Sequence, residues 1–548
     1  MRIRTLTIVL APLLFAASMQ AQTPTWSNLW SFPMSGNEQP TEAALDAAGN
    51  IYVTTYLLDF TADDPANMVR QFLTCSSPDG TMRWTRSILT GALSRRAAMG
   101  VDPAGNVYVA ASFYGNTAYI DAGGHLDTLN ATSDKNIMFA RYNAAGRLLW
   151  QKTLSGSDSI HVATMAATSG GVWIGGDFTG TVDFGGTHLA SAGRGDVYLA
   201  MADSNGTFLE AVRGGGSATE ECEKIAADRN GDIVMLGQFR GTATFGDRSI
   251  TATGGTNFFL VRYHADGTTA WAHADGGPSF SPAQPFIPMP LLLKLDRDGN
   301  IYLAISYLDS ITIGRDVMQS VSEADALVVK YRADGTEIWT TQYGGDFLQL
   351  IEGLAIDTDG SIFVSGYSQL LPQGTFFLTK LSPAGSEVWQ TTNAAVGGLS
   401  SADGGPVSID SAHTVIVAGH FSGALRLGSR TVTSFGSSDT AIVGDDIFIA
   451  KIASTSGVGL AADHGGAGSP FTIAEHDHQL LLLPAAQAPT VTDAAIYSLL
   501  GECVSRPVNT LEHGSPIRFN VEDLAHGNYL IVLRTGEGAM GYRVVIGR

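Results

Sequence analysis

The stretch DAAGNIYV, residues 46–53, decides how the chain is read, because it recurs. DPAGNVYV starts at Asp102, DRNGDIVM at Asp228, DRDGNIYL at Asp296 and DTDGSIFV at Asp357. Two weaker copies bring the set to seven: ATSGGVWIGG from Ala167, where the Asp is lost, and DSAHTVIV from Asp410, where the Gly is lost. Successive starts are 56, 65, 61, 68, 61 and 53 residues apart, a period that suits a four-stranded unit with one long loop. In D-x-x-G the Asp carboxylate accepts backbone N–H groups two residues on, and the Gly supplies the positive φ that closes a hairpin.

A second phrase follows each copy. It reads SPDGTMRW to Trp84, NAAGRLLW to Trp150, HADGTTAW to Trp271, RADGTEIW to Trp339 and SPAGSEVW to Trp389, with DSNGTFLE placing Glu210 where the others have Trp. Alternating apolar runs flank it, so each repeat reads as two hairpins. One Trp per repeat at a fixed place is what packing between neighbouring units requires. In the seventh copy the turn degenerates to Ser454-Thr455-Ser456-Gly457 and the Trp position is Ala461. Trp30, in SNLWSFPMSG, stands in an outer-strand phrase with no such turn before it. The expectation is an all-β, seven-bladed β-propeller closed by that N-terminal strand, which removes the open edge of a linear array.

These residues resemble the seven-bladed β-propeller repeat (SBBP) family of bacterial exported proteins, over residues 27–466. The resemblance extends to FTGTVDFGGTHLASAG, FRGTATFGDRSITATGG and FSGALRLGSRTVTSFG between the second and third strands. The Trp phrase is also similar to repeats of pyrroloquinoline-quinone dehydrogenases, but that resemblance implies eight blades and often an adjacent Cys pair, which this chain lacks.

Arg2 and Arg4 precede an apolar run, residues 6–17, and Ser18-Met19-Gln20-Ala21 ends in a small residue at the cleavage position, so residues 1–21 read as a signal peptide cut after Ala21. No other apolar run approaches the length of a membrane helix. The net charge of −20 becomes −22 without those two arginines, which argues against nucleic-acid and acidic-lipid surfaces. Cys75, Cys222 and Cys503 are too few and scattered for a disulfide framework or zinc site and read as unpaired core residues.

Beyond Gly466 the pattern changes to FTIAEHDHQLLLL, AAIYSLLGECV, IRFNVEDLAHGNYLIVLRT and GYRVVIGR, a small β-sandwich over residues 467–548. The order of IYSLLG around Gly501, VEDLAHGNYL with Leu524, Gly527 and Tyr529, and a final RVVI resembles the type A sorting domain of the type IX secretion system of Bacteroidota and relatives. That resemblance implies a chain secreted or held at the outer-membrane surface, with the secretion machinery as one partner. The Pro-Asn-Pro phrase usual near the start of such a domain is missing.

The short turns joining strands one to two and three to four fall on one face of the ring, so the long connections share the other. Recognition of an extracellular protein or glycan is expected there. Candidate contacts are Phe280 and Phe286 in the Pro-rich loop at 277–290, and the carboxylates Asp177, Asp183 and Asp196 crowded in the third repeat, whose alternative is solvated loop polarity. His476 and His478 could share a strand face and hold a metal, although a polar patch leading the terminal domain explains them too. The calcium-like Asp296-Arg297-Asp298-Gly299-Asn300 and Asp357-Thr358-Asp359-Gly360 lack the distal Glu of a calcium hand, so no cofactor is expected. With no G-x-S-x-G, H-E-x-x-H or P-loop phrase the expectation is a monomeric, non-enzymatic binding scaffold. Carboxylates gathered from several blades at the channel mouth would instead make a lyase or glycosidase, and a self-associating surface-layer component is a third reading.

Overall fold

A computed structural model describes most of residues 26–546. Residues 1–25, 33–36, 59–68, 91–96, 394–400, 435–445, 453–470, 508–514, 522–526 and 547–548, with shorter stretches such as 278–282, 285–286, 477–478 and 499–502, lie outside the described set. Every regular element among the described residues is a β-strand. They form a seven-bladed β-propeller followed by two small sheets.

Blade 1 runs outward through Asn37–Leu45, Ile51–Leu58, Val69–Ser76 and Met82–Thr90. Blade 2 uses Ala97–Val101, Val107–Tyr114, Lys135–Tyr142 and Leu148–Ser155. Blade 3 has Ile160–Thr168, Gly171–Phe178, Asp196–Ala202 and Phe208–Gly216, and blade 4 has Glu220–Ala227, Ile233–Phe239, Asn257–Tyr263 and Thr269–Asp275. Blade 5 comprises Leu291–Leu295, Ile301–Tyr307, Asp325–Tyr331 and Glu337–Tyr343. Blade 6 comprises Leu348–Ile356, Ile362–Leu370, Gln373–Leu381 and Glu387–Thr392. In blade 7, Ser401–Ile409, Val415–Ser422 and Asp446–Ile452 are joined by Trp26–Phe32, which pairs antiparallel with Asp446–Ile452. The seven innermost strands contact one another in order, blade 7 returning to blade 1.

Each sheet is covered on both faces, so its middle strands are almost continuously apolar: IYLAISY and DIFIAKI are buried at every position. Accordingly the core is divided among the interfaces between blades. Leu73, Ile88, Val109 and Met138 fill blades 1 and 2, Trp173, Leu199, Met235 and Phe259 fill blades 3 and 4, and Phe376, Trp389, Val417 and Phe448 fill blades 6 and 7. Ile51 and Val53 of blade 1 meet Ile416, Ala418 and Ile449 of blade 7, with Trp30 packed beside them.

The repeated phrases form the short turns. Asp46 Oδ1 accepts the amides of Ala48 and Asn50 at 3.0 and 2.9 Å, and Asp102, Asp228, Asp296 and Asp410 do the same on their own turns. Asp357 departs from this: its carboxylate meets the Thr358 amide and His413 Nδ1, while Asp359 accepts the Ser361 amide. His413 stands in the seventh copy where the others have Gly and adopts φ +61° itself.

The outer turns need Gly for a second reason. Trp84 lies over Gly146, Trp150 over Gly206, Trp271 over Gly335, Trp339 over Gly385 and Trp30 over Gly80, each tryptophan reaching the turn of the next blade. Four of these indoles donate to a carbonyl of that turn: Trp84 to Ala144, Trp150 to Ser204, Trp271 to Ala333 and Trp339 to Pro383, at 2.9–3.2 Å. Trp389 is buried between blades 6 and 7.

Past the ring, Phe471–His476, Gln479–Pro484 and Ile517–Asn520 make one sheet, and Cys503–Ser505, Val491–Ser498, Gly527–Thr535 and Gly538–Ile546 make another. No helix among the described residues is long and apolar enough to cross a membrane.

Candidate functional site

The inner strands of blades 1, 3, 4, 6 and 7 share a register break near the end that faces the long connections, at Pro40/Glu42, Val162/Thr164, Cys222/Lys224, Ile351/Gly353 and Gly404/Val407. Such bulges re-aim side chains at the rim of a barrel or ring. Two residues before each break, an inner-strand residue faces one on the second strand: Gln39 with Tyr56, His161 with Asp177, Glu221 with Gln238, Leu350 with Tyr367 and Asp403 with His420. Three of the pairs are bonded directly. Tyr56 donates to Gln39, His161 Nδ1 lies 3.1 Å from Asp177 Oδ2, and His420 Nε2 lies 3.2 Å from Asp403 Oδ2. Polar groups from these five blades thus lie at the same end of the propeller.

Between blades 3 and 4 this end opens into a cleft of about 470 Å³ lined by Arg194, Ser217, Thr219, Glu221, Gln238 and Arg240. Arg240 is held by Nε donating to Thr256 Oγ1 at 2.9 Å, and Gln238 donates to Glu223 at 2.9 Å. The Glu221 side chain keeps contact with solvent, yet the surrounding protein raises its carboxyl above the usual range, and Asp177 raises it further. His161, Arg240 and Lys135 act in the opposite sense. The cleft therefore combines a carboxyl disposed to hold a proton with two exposed guanidiniums, and the His161–Asp177 pair lies outside its walls, close enough to act on the Glu221 charge.

Beneath it, Glu220 and Asp196 are completely buried. Arg213 bonds Asp196, whose carboxylate also takes Ser191 Oγ and the Ala192 amide. Glu220 Oε2 accepts the Gly216 amide at 2.8 Å, while its Oε1 is buried with no partner among the described residues. Burial, followed by Asp196, pushes the Glu220 carboxyl up to about 7.

Of the three suspected carboxylates only Asp177 reaches that end of the propeller. Asp196 is buried under the cleft, and Asp183 is exposed on the Thr181–Phe184 strand, accepting the Gly186 amide at 2.7 Å. Phe280 and Phe286 lie outside the described residues, as do His478, Gly501 and Leu524. His476 ends the Phe471–His476 strand opposite Gln479, and Gly527 and Tyr529 lie in Gly527–Thr535. Among the described residues no three His, Cys, Asp or Glu side chains cluster as metal ligands, and Cys75 and Cys222 are free and buried. His161, Glu221, Gln238, Arg194 and Arg240 were not singled out from the sequence. A signal was available: Gln39, Glu221, Leu350 and Asp403 each precede the Asp of their own turn phrase, at 46, 228, 357 and 410, by the same number of residues.

No family model matches the chain. An uncharacterised WD repeat-containing protein of Acanthamoeba polyphaga mimivirus is 23% identical over 394 residues, covering 59% of this chain, so the chain spans only 28% of that relative's length. Among solved structures, an ulvan lyase of a polysaccharide lyase family is 11% identical with TM-score 0.39, over 71% of this chain and 93% of that one. The NanB sialidase of Streptococcus pneumoniae is 10% identical with TM-score 0.36, over 78% of this chain and 70% of that one. The expectation of a non-enzymatic chain is corrected by finding such enzymes among the structures it is similar to. A propeller gathers residues from strand ends of different blades, so the lack of a catalytic phrase along the chain does not decide the matter.

Proposed function

We propose that the cleft between blades 3 and 4 binds an acidic glycan and works on its linkages. The observation that carries this is the convergence of Arg194 and Arg240 with Glu221 in one cleft, with the His161–Asp177 pair near enough to act on the Glu221 carboxyl. Two guanidiniums pair with a sugar carboxylate or sulfate in fork geometry. Glu221 is the group that delivers a proton to a leaving oxygen, and His161, its other nitrogen free of the Asp177 bond, is the group that accepts one. The test incubates the full chain with uronate-containing, sialylated, sulfated and neutral polysaccharides and follows both binding and chain cleavage. Binding to an acidic polymer should fall in the double variant Arg194→Ala/Arg240→Ala, and cleavage should fall in Glu221→Gln with binding retained. Equal binding of neutral polymers, or indifference to the arginine substitutions, would overturn the proposal.

The itinerary proposed is export. In this reading residues 1–21 are removed, residues 22–466 form the propeller of the SBBP type with Trp26–Phe32 closing the ring, and residues 467–548 form a β-sandwich that the type IX secretion machinery reads. Supporting it are the apolar leader after Arg2 and Arg4, the seven repeats, and the resemblance of residues 496–501, 521–530 and 543–546 to a sorting domain. Normal surface display of a chain lacking residues 467–548 would refute the sorting assignment.

A further inference from the structure

Blade 3 breaks the tryptophan rule, and the structure opens where it does so. In the outer strands of blades 1, 2, 4, 5 and 7 an indole covers the glycine of the next blade's turn; at the corresponding place in blade 3 Glu210 Oε1 would stand 2.0 Å from a Cβ on Gly267. Beside it lies a cleft of about 610 Å³, walled by Leu189, Val212, Tyr263, Thr268 and Asp247. The substitution also inverts the hydrogen bonding. Elsewhere the outer strand delivers donors to the neighbouring turn: Trp84 Nε1 to Ala144 O with Arg86 to Gly146 O, and Trp150 Nε1 to Ser204 O with Lys152 to Gly206 O. Blade 3 offers Glu210 and Val212 at those two places, an acceptor and a hydrocarbon, so its outer strand has no counterpart of the indole and cationic donors that reach the turn carbonyls elsewhere. Arg213, the cation on the wall, is committed to Asp196. Asp266 adds negative charge, Asp247 on the wall is paired with Arg248 at 3.3 Å, and burial followed by Asp266 raises the Glu210 carboxyl.

We propose that this rim cleft receives an arginine side chain from a protein partner, presented with apolar neighbours. The guanidinium supplies the donors that the outer strand of blade 3 lacks, and the hydrocarbon part covers Val212, Leu189 and Tyr263 as the missing indole would. The cleft is separate from the one lined by Arg194 and Arg240, so either proposal can fail without the other.

The test is fluorescence anisotropy of the full chain with a labelled Ala-Leu-Arg-Leu-Ala peptide, using Lys and Gln in the central place as comparisons. Affinity should fall from Arg to Lys to Gln. Glu210→Gln should weaken the Arg peptide about tenfold, which is the loss of one charge-assisted contact. Glu210→Trp should restore the repeat, raise the melting temperature and abolish binding. Asp316→Asn, on an exposed hairpin of blade 5, should leave binding unchanged. No binding of the Arg peptide to the folded chain, equal binding of the Gln peptide, or undiminished binding by Glu210→Trp would each overturn the proposal.

Discussion

Lys224 of blade 4 reaches Glu42 of blade 1 through the bore, Nζ to Oε1 at 2.5 Å. The two blades are as far apart as a seven-membered ring permits, so this pair spans the channel at its waist. Lys294 of blade 5 faces the same space, accessible to water yet enclosed by protein; desolvation lowers its ammonium, Glu42 opposes that, and Lys224 adds to it.

Two ammoniums and one carboxylate make the pair asymmetric. Replacing Lys224 by Met leaves Glu42 with Lys294 as a neighbour, whereas Glu42→Gln leaves two cations without their shared anion in a bore enclosed by protein. Glu42→Gln should therefore cost about 2–3 kcal/mol and Lys224→Met about 1 kcal/mol, read from denaturation midpoints. Equal losses would contradict the shared-anion account.

Arg262 ties blade 4 to blade 5. It bonds Asp228, donates Nε to Asp232 at 3.1 Å and approaches Gly299 O of the next blade's turn at 3.4 Å, with its side chain 9% exposed. Lysine cannot reproduce three directions of donation, so Arg262→Lys should destabilise by about 2–4 kcal/mol. Hydrogen exchange should rise first in the turns at 228–231 and 296–299. Uniform loosening across all blades would show that the contact is not a local latch.

The architecture was legible because the turn chemistry is local. An Asp whose carboxylate caps amides two and four residues on, and a Gly at φ near +76°, leave a mark in eight consecutive letters. The site was not legible, because its parts are set by pairing across strands. His161 meets Asp177 only through the register of blade 3, and Arg240 approaches Glu221 only through the fold of blade 4. Asp183 and Asp196 were suspected from crowding in sequence, but in a strand every second residue turns to the opposite face and a hairpin carries its members away. Hence Asp183 faces solvent while Asp196 is buried against Arg213.

The tryptophan-on-glycine contact is open to a double-mutant cycle. A Cβ on Gly146 would lie 2.5 Å from the Trp84 ring, at a backbone φ of +73°. Gly146→Ala should cost about 2–3 kcal/mol, part from φ and part from the ring. In a Trp84→Leu background the ring part disappears, so the coupling between the two changes should be about 1 kcal/mol or more, each measured by chemical denaturation. Strict additivity would mean that φ alone demands the glycine.

Glu220 gives the ring a pH dependence whose direction follows from its burial. Its carboxyl rises from the ordinary 4.5 to about 7 because the buried site penalises the charged form and Asp196 repels it, against the Gly216 amide and Arg213. Between those two values the folded chain holds a proton that the unfolded chain has released, so this group's contribution is fully present below about pH 4.5 and is lost as pH climbs through 7. The span corresponds to at most about 3.4 kcal/mol. Glu220→Gln, which retains an oxygen for the Gly216 amide, should flatten the decline of stability between pH 5 and pH 8 and leave the variant more stable than the parent at pH 8. The Asp196–Arg213 pair sets the sign of the neighbouring charge, so Arg213→Met should push the Glu220 carboxyl higher still and move the decline to more alkaline pH. A Glu220→Gln profile that runs parallel to that of the parent would place the titration elsewhere.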